Sequence, residues 1–350
     1  MRSTIYGEGV TMKDNTSGVV KLRRNLFWII FVFFGVYIVL SGFGYIPWEF
    51  LMYAVDGYLS DGMRYILEFY TSTIVEVVSL FLLTWLIRPN RYIWKSFLLP
   101  KRKKKDAAQI DQNDILADYY GRSKNGFKML GLGLLLGFSM NFVCVLCALL
   151  HGDIRLYFES SRSQIPVFLF AFLSVFIQST CEELWCRGLL YERLHEHHPM
   201  WAAILINGVL FGLLHIFNDG ATVLAIIEIM ICGITYSLIR WYTGNIWIAM
   251  GIHTGWNFTQ AFLLGMPNSG LVSEVSLFHL ESANGVSNLI YDFKFGVEGG
   301  LPAVIVDLIP AVVVLILAKK NGRLKELAMS REKDQNKPQN LAYIGQNLVS

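Results

Sequence analysis

The sequence predicts an all-α fold, a polytopic integral membrane bundle of about eight transmembrane helices. Three observations predict it. Of 350 residues, 54% are hydrophobic and only 16% charged, with a mean hydropathy of +0.44; soluble enzymes of this length carry more charge. Eight apolar runs each approach the roughly 20 residues that cross a bilayer as a helix. The connections between them alternate between basic and acidic, and Lys/Arg bias in short loops sets orientation in a membrane.

The chain opens on a polar arm, residues 1–25, holding Arg2, Lys13, Lys21, Arg23 and Arg24. It has no cleavage-site pattern, so the first apolar run acts as the membrane signal. Residues 26–150 supply the runs Leu26–Ile46, Thr71–Ile87 and Met129–Leu150, interrupted by a basic loop, 88–128, that contains Lys101-Arg102-Lys103-Lys104-Lys105. Residues 151–265 supply Ile165–Arg187, Trp201–Phe217, Val223–Ile239 and Ile246–Leu264. Residues 266–318 form a long connection, with room for a short surface helix, and the last run, Leu301–Ala318. A polar tail, 319–350, carries Lys319, Lys320, Arg323 and Lys325. The intervening connections are acidic or mixed: Glu49, Asp56 and Asp61; Asp153 and Glu159; Glu274, Glu281, Asp292 and Glu298. This alternation predicts both termini in the cytoplasm. The Lys/Arg run is then a topology determinant that also meets anionic lipid, and no nucleic-acid partner is expected. Five cysteines, all in apolar runs, read as packing residues.

Polar residues inside these runs are the informative ones, because a charge at mid-bilayer costs about 2.5 kcal/mol or more. Glu182, Glu183 and Arg187 lie at the end of one run. Asn207, Phe211 and His215 in the next are spaced four apart and line one helical stripe, as do His253 and Asn257 two runs later. Glu76, Glu228 and Asp307 each stand alone in their runs and read as helix-to-helix hydrogen bonds. His198-Pro199 marks the turn of a helical hairpin. Counting outward from that turn brings Glu182 level with His215, each about 24 Å away. The polar stretch Gly188–His198 should then project into the interface, with His195-Glu196-His197-His198 as a solvated turn and not a metal motif.

A carboxylate and imidazoles around buried water suit peptide hydrolysis: a base takes a proton from water, and donors stabilise the oxyanion. Glu182, His215 and His253 could also supply three ligands to a catalytic Zn²⁺. Taken together, Glu182-Glu183-x-x-x-Arg187, Phe211-x-x-x-His215 and His253-x-x-x-Asn257 resemble the three motifs of the CPBP family. These are the CAAX protease and bacteriocin-processing membrane enzymes, also called Abi proteins, related to type II CAAX prenyl endopeptidases. The resemblance covers residues 165–265. It implies an all-helical intramembrane endopeptidase in which Glu182 and His215 act on the catalytic water and His253 and Asn257 stabilise the oxyanion. Glu183 and Arg187 would orient the site. The family is labelled metalloprotease, and a metal-free glutamate mechanism has also been put forward, so Zn²⁺ on Glu182, His215 and His253 stays open. The implied partners are a membrane-associated protein or peptide and the bilayer, in a multi-pass protein of a bacterial cell membrane. Two other readings compete: a non-proteolytic immunity or regulatory protein that keeps the motifs, and a small-solute transporter. The transporter reading lacks the expected internal repeat.

Overall fold

The computed structural model describes residues 73–82, 125–158, 165–273 and 275–328, with isolated positions between 28 and 70. The expected first span, Leu26–Ile46, the Lys/Arg run and the tail beyond residue 328 lie outside the described residues. The helices are α1 (Thr73–Leu82), α2 (Gly126–His151), α3 (Ile165–Glu183), α4 (Tyr191–His197), α5 (Met200–Leu213), α6 (Val223–Thr243), α7 (Trp247–Phe258) and α8 (Leu301–Lys320). Among the described residues, four helical stretches are long and apolar enough to cross a membrane: Gly126–His151, Val167–His197, Val223–Thr243 and Leu301–Lys320. The protein is a multi-pass helical membrane protein.

Its helices are turned apolar side out. On α8, Ile305, Ile309, Val312 and Ile316 are exposed, whereas Ala303, Asp307, Ala311 and Ala318 face inward. A soluble amphipathic helix does the reverse. With lipid outside, no hydrophobic force drives helices together, and close backbone approach through small residues takes its place. Two such crossings organise the bundle. Gly133 and Gly137 of α2 meet Gly251 and Gly255 of α7 so closely that a methyl group at any of the four would overlap the facing backbone. Gly208 and Gly212 of α5 do the same against Ile234 and Met230 of α6.

Local signals end the helices. The Asn125 side chain accepts from Phe127 N at 3.1 Å to start α2, and Thr222 Oγ1 accepts from Ala225 N at 3.2 Å to start α6. Gly152 and Gly244, at φ of +87° and +63°, close the same two helices.

The structure adds detail to these expectations. First, α3 runs through a π-helical turn, Leu184–Leu190, directly into α4, so residues 188–197 continue the helix. Glu192 there is fully buried and ion-paired with Arg240 of α6; a partner on a neighbouring helix removes the reason to seek water. His195-Glu196-His197-His198 closes that helix half-buried, and Pro199 caps α5 at the predicted turn. Second, α5 stops at Leu213, four residues short of Phe217. The chain then tightens, His215 N bonding to Gly212 O at 3.0 Å, which puts His215 on a turn. Third, the connections around 154 and 280 pair as an antiparallel two-stranded sheet, β1 (Ile154–Phe158) with β2 (Phe278–Ser282), Ile154 opposite Ser282. Among the described residues, the rest of the 266–300 connection, which left room for a short surface helix, holds the 3₁₀ turn Val297–Gly299. Fourth, two of the three lone carboxylates read as helix-to-helix contacts prove to be partners of each other: Glu228 of α6 and Asp307 of α8 interact across their helix crossing.

Candidate functional site

The site forms where α3, its π turn, the end of α5, α6 and α7 converge. A π turn inserts one extra residue and recurs at functional positions. Here it begins at Leu184, directly after the Glu182-Glu183 pair, and Tyr191 N reaches Cys186 O across it. Asn207 of α5 donates to that same carbonyl at 2.5 Å and accepts from Ser237 Oγ of α6 at 3.0 Å. Asn207 is therefore committed to holding the turn.

Glu183 and Arg187 are both completely buried, with Glu183 Oε1 2.8 Å from Arg187 Nη1. The guanidinium lies over the Phe211 ring at 4.2 Å and near the Tyr236 ring at 5.3 Å, so its faces meet aromatic quadrupoles in place of water. Gly233 makes this possible: a Cβ there would sit 3.2 Å from Arg187 Nη2 and 2.9 Å from Gly208 Cα.

His253 stands between two carboxylates. Its Nδ1 is 3.1 Å from Glu183 Oε1, and its Nε2 is 3.7 Å from Glu182 Oε2. Glu182 differs from its neighbour: its side chain is 21% exposed against none for Glu183. One Glu182 oxygen accepts from Gln178 Nε2; the other is buried with no hydrogen-bond partner. A carboxylate oxygen without a hydrogen-bond partner thus faces an imidazole nitrogen at 3.7 Å.

His215 has its Nδ1 3.0 Å from the Phe211 carbonyl oxygen. The backbone thereby fixes the ring and leaves Nε2 for other work. The Phe211 ring meets both imidazoles edge-on, at 5.1 Å from His215 and 6.0 Å from His253. His215 is close enough to Glu182, His253 and Arg187 to feel the charge of each. Asn257 follows His253 by one turn of α7 and is nearly buried.

The Phe211 ring thus meets Arg187, His215 and His253, and Glu182 and Glu183 flank His253. His215, which the hairpin count sets level with Glu182, feels the charge of Glu182, and His253 of α7 adds a second imidazole beside it. Two contributors were not foreseen. Gln178, one turn before Glu182, left a visible sign as an amide inside an apolar run. Tyr236 left none, since an aromatic residue in a membrane helix is unremarkable. Glu76 of α1 also interacts electrostatically with Glu182. Among the described residues, no three His, Cys, Asp or Glu side chains are grouped to hold a metal ion.

Residues 164–259 match the family model described as type II CAAX prenyl endopeptidase Rce1-like. Uncharacterized protein YyaK of Bacillus subtilis (strain 168) is 27% identical over 169 residues, 46% of this chain and 56% of that protein. The chain thus spans about half the length of this curated relative. No solved structure matches. The matched segment contains Glu182, Glu183, Arg187, His215, His253 and Asn257, so over residues 164–259 the chain is similar to the Rce1-like type II CAAX prenyl endopeptidases, consistent with the CPBP resemblance of its motifs.

Proposed function

We propose that the protein is an intramembrane endopeptidase that hydrolyses a peptide bond of a membrane-associated protein or peptide. The observation that carries this reading is the 3.7 Å separation between the buried Glu182 Oε2, which has no hydrogen-bond partner, and His253 Nε2, on a base of buried ion pairs. Buried charges cost several kcal/mol each before pairing, and a membrane protein keeps them where they are used.

Glu182 is the general base, taking a proton from a water molecule held beside it. Gln178 fixes which of its oxygens does so. His215, with Nδ1 donating to the Phe211 carbonyl, keeps Nε2 as an acceptor that orients the water; the proton taken by Glu182 then passes to the leaving amine as the C–N bond breaks. His253 and Asn257 present donors to the carbonyl oxygen as it gains charge. Donors aimed in advance at the developing oxyanion are worth about 2.7–4 kcal/mol each, and a positioned base about 10²–10⁴ in rate. Glu183 and Arg187 do not reach substrate; they hold His253 and the π turn in place.

Every step uses side chains and water. Glu182, His215 and His253 are not grouped as metal ligands, so no step is routed through Zn²⁺. Metal content by mass spectrometry of purified wild-type and His253→Ala protein tests this. The expected result is no stoichiometric zinc in either; zinc bound by the wild type and lost by the variant would assign those three residues to the metal.

The decisive experiment is peptidomics of membranes carrying wild-type protein against Glu182→Gln. Cleavage products should vanish with the variant, a loss of at least about 10³-fold, while the variant accumulates and unfolds like the wild type. A product peptide remade with a fluorophore and quencher across its cleaved bond then serves as the kinetic substrate. Equal products from both proteins would end the proteolytic reading.

A further inference from the structure

The 266–300 connection lies outside the matched segment, yet its buried polar groups reach both ends of the site. Ser269 is at their centre. Its φ of +48° makes it the single non-glycine residue in the left-handed region among the described residues, a conformation that costs free energy unless its surroundings impose it. Ser269 O accepts from Asn218 Nδ2 at 2.9 Å, and Asn218 N in turn bonds to His215 O at 3.1 Å. On its other side, Ser269 N and Oγ both donate to Glu298 Oε2 at 2.7 Å. The second Glu298 oxygen accepts from Trp256 Nε1 at 3.0 Å, and Trp256 precedes Asn257. Glu298 is buried, so all these bonds are shielded from water and expensive to leave unmade. Close backbone contacts run beside them: a methyl group on Gly270 would overlap the Asp219 carbonyl, and one on Gly220 would meet the Lys294 side chain.

We propose that Glu298 and Ser269 form a positioning clamp that ties the turn carrying His215 to the end of α7 carrying Asn257, and so sets the spacing across the reacting bond. Glu298 acts through Trp256 and Ser269 and does not touch substrate. The connection is then part of the enzyme's precision: a displacement near 1 Å in a site of this kind costs up to about 10²-fold in rate. For its effect on rate the inference rests on the proteolytic reading; for its effect on structure it does not.

The test uses the full-length protein in detergent and has two arms. In the first, amide hydrogen exchange compares wild type with Glu298→Leu, Glu298→Gln and Trp256→Phe. Exchange in residues 214–222 should quicken about tenfold or more in Glu298→Leu and less in Trp256→Phe and in Glu298→Gln, whose single amide oxygen keeps one end of the clamp only, with residues 126–151 unchanged. Unchanged exchange at 214–222 in both Glu298→Leu and Trp256→Phe overturns the clamp, and so does acceleration that spreads equally to 126–151. In the second arm, hydrolysis of the quenched peptide by Glu298→Leu should lose about 10–100-fold in kcat at unchanged KM, with part of it regained by Glu298→Gln. A wild-type kcat per folded molecule in Glu298→Leu would overturn the effect on rate. Glu182→Gln is the control: if it still cleaves, the proteolytic reading fails, and the exchange arm alone judges the clamp.

Discussion

The two π-helical turns invite comparison. Leu184–Leu190 follows Glu182-Glu183, and Thr259–Leu263 follows His253 and Asn257. Each widens a helix just after residues of the candidate site, and each leaves carbonyls displaced from the α-helical ladder. They are satisfied differently. The first turn contains Arg187, locked to Glu183 and sandwiched by aromatic rings, and its Cys186 carbonyl takes Asn207 as a second donor. The second is held by neutral groups. Gln260 Oε1 accepts from Asn141 Nδ2 at 2.7 Å, Gln260 Nε2 donates to Pro267 O at 2.6 Å, and Met266 N bonds to Gln260 O at 2.9 Å. Charge sits where it also holds the His253 imidazole. Amides suffice where only backbone is held. The same geometric device therefore has a charged copy and a neutral copy, and substitutions should separate them.

The largest effect is expected from breaking the charged copy. Glu183→Gln leaves the Arg187 guanidinium buried without its counter-ion, and removing one member of a buried pair costs about 3–5 kcal/mol. It also frees His253 Nδ1, so cleavage of the quenched peptide should fall below detection even in the folded fraction. Replacing both partners, Glu183→Gln with Arg187→Met, should recover most of the stability and none of the activity. Thermal unfolding in detergent and kinetics per folded molecule read the two outcomes. Full activity in the double variant would reduce the pair to a structural staple.

Arg187→Lys should be intermediate. Lysine keeps the charge but not the planar group that lies over Phe211, and the two cations are not interchangeable at a stacked site. Lost stacking of this kind amounts to about 1–2 kcal/mol when desolvated. Since Phe211 also touches both imidazoles, activity should drop by about tenfold at a stability close to wild type. A Lys variant equal to wild type in kcat would mean that the ring contact with Arg187 does not orient the histidines.

The sequence made the charged copy legible and hid the neutral one. Glu182, Glu183, Arg187, His215, His253 and Asn257 stand out because each violates the composition of its own run, and their fourfold spacing survives in the structure. The π turns were not legible: whether a carbonyl takes its fourth or fifth following N–H depends on contacts from other helices, such as Asn207 to Cys186. Counting from His198-Pro199 set Glu182 level with His215, whose ring feels that carboxylate, but it could not report His253 of α7 at 3.7 Å from the same side chain. The end of α5 was overrun because Leu213, Leu214, Ile216 and Phe217 continue the apolar pattern past the point where the turn tightens. The 266–300 connection was opaque for another reason. Its order comes from buried partners distant in sequence, Glu298 to Ser269 and Trp256, and no periodicity reports them. The helix crossings at Gly133/Gly137 and Gly251/Gly255 went unread, because glycine spacing inside an apolar run does not say which helix it meets.

The smallest effect is expected at the neutral copy. Gln260→Leu leaves Asn141 Nδ2 without its acceptor and Pro267 O without its donor inside the bundle, where an unmade bond costs about 1–3 kcal/mol. Asn141→Leu removes only the first of these. Exchanging both amides, Asn141→Leu with Gln260→Met, replaces two polar groups by apolar ones of similar size, a change that can be nearly neutral. Only the Pro267 carbonyl then loses a partner. The unfolding temperature should therefore order as wild type, then Asn141→Leu close to the double variant, then Gln260→Leu lowest. Through all three, kcat on the quenched peptide should stay within about threefold of wild type per folded molecule, because no charged group of the site has moved and the Glu298 latch on Trp256 is intact. A large loss of kcat in Gln260→Leu with stability preserved would show that the second π turn also aims Asn257, and the contrast between the two turns would dissolve.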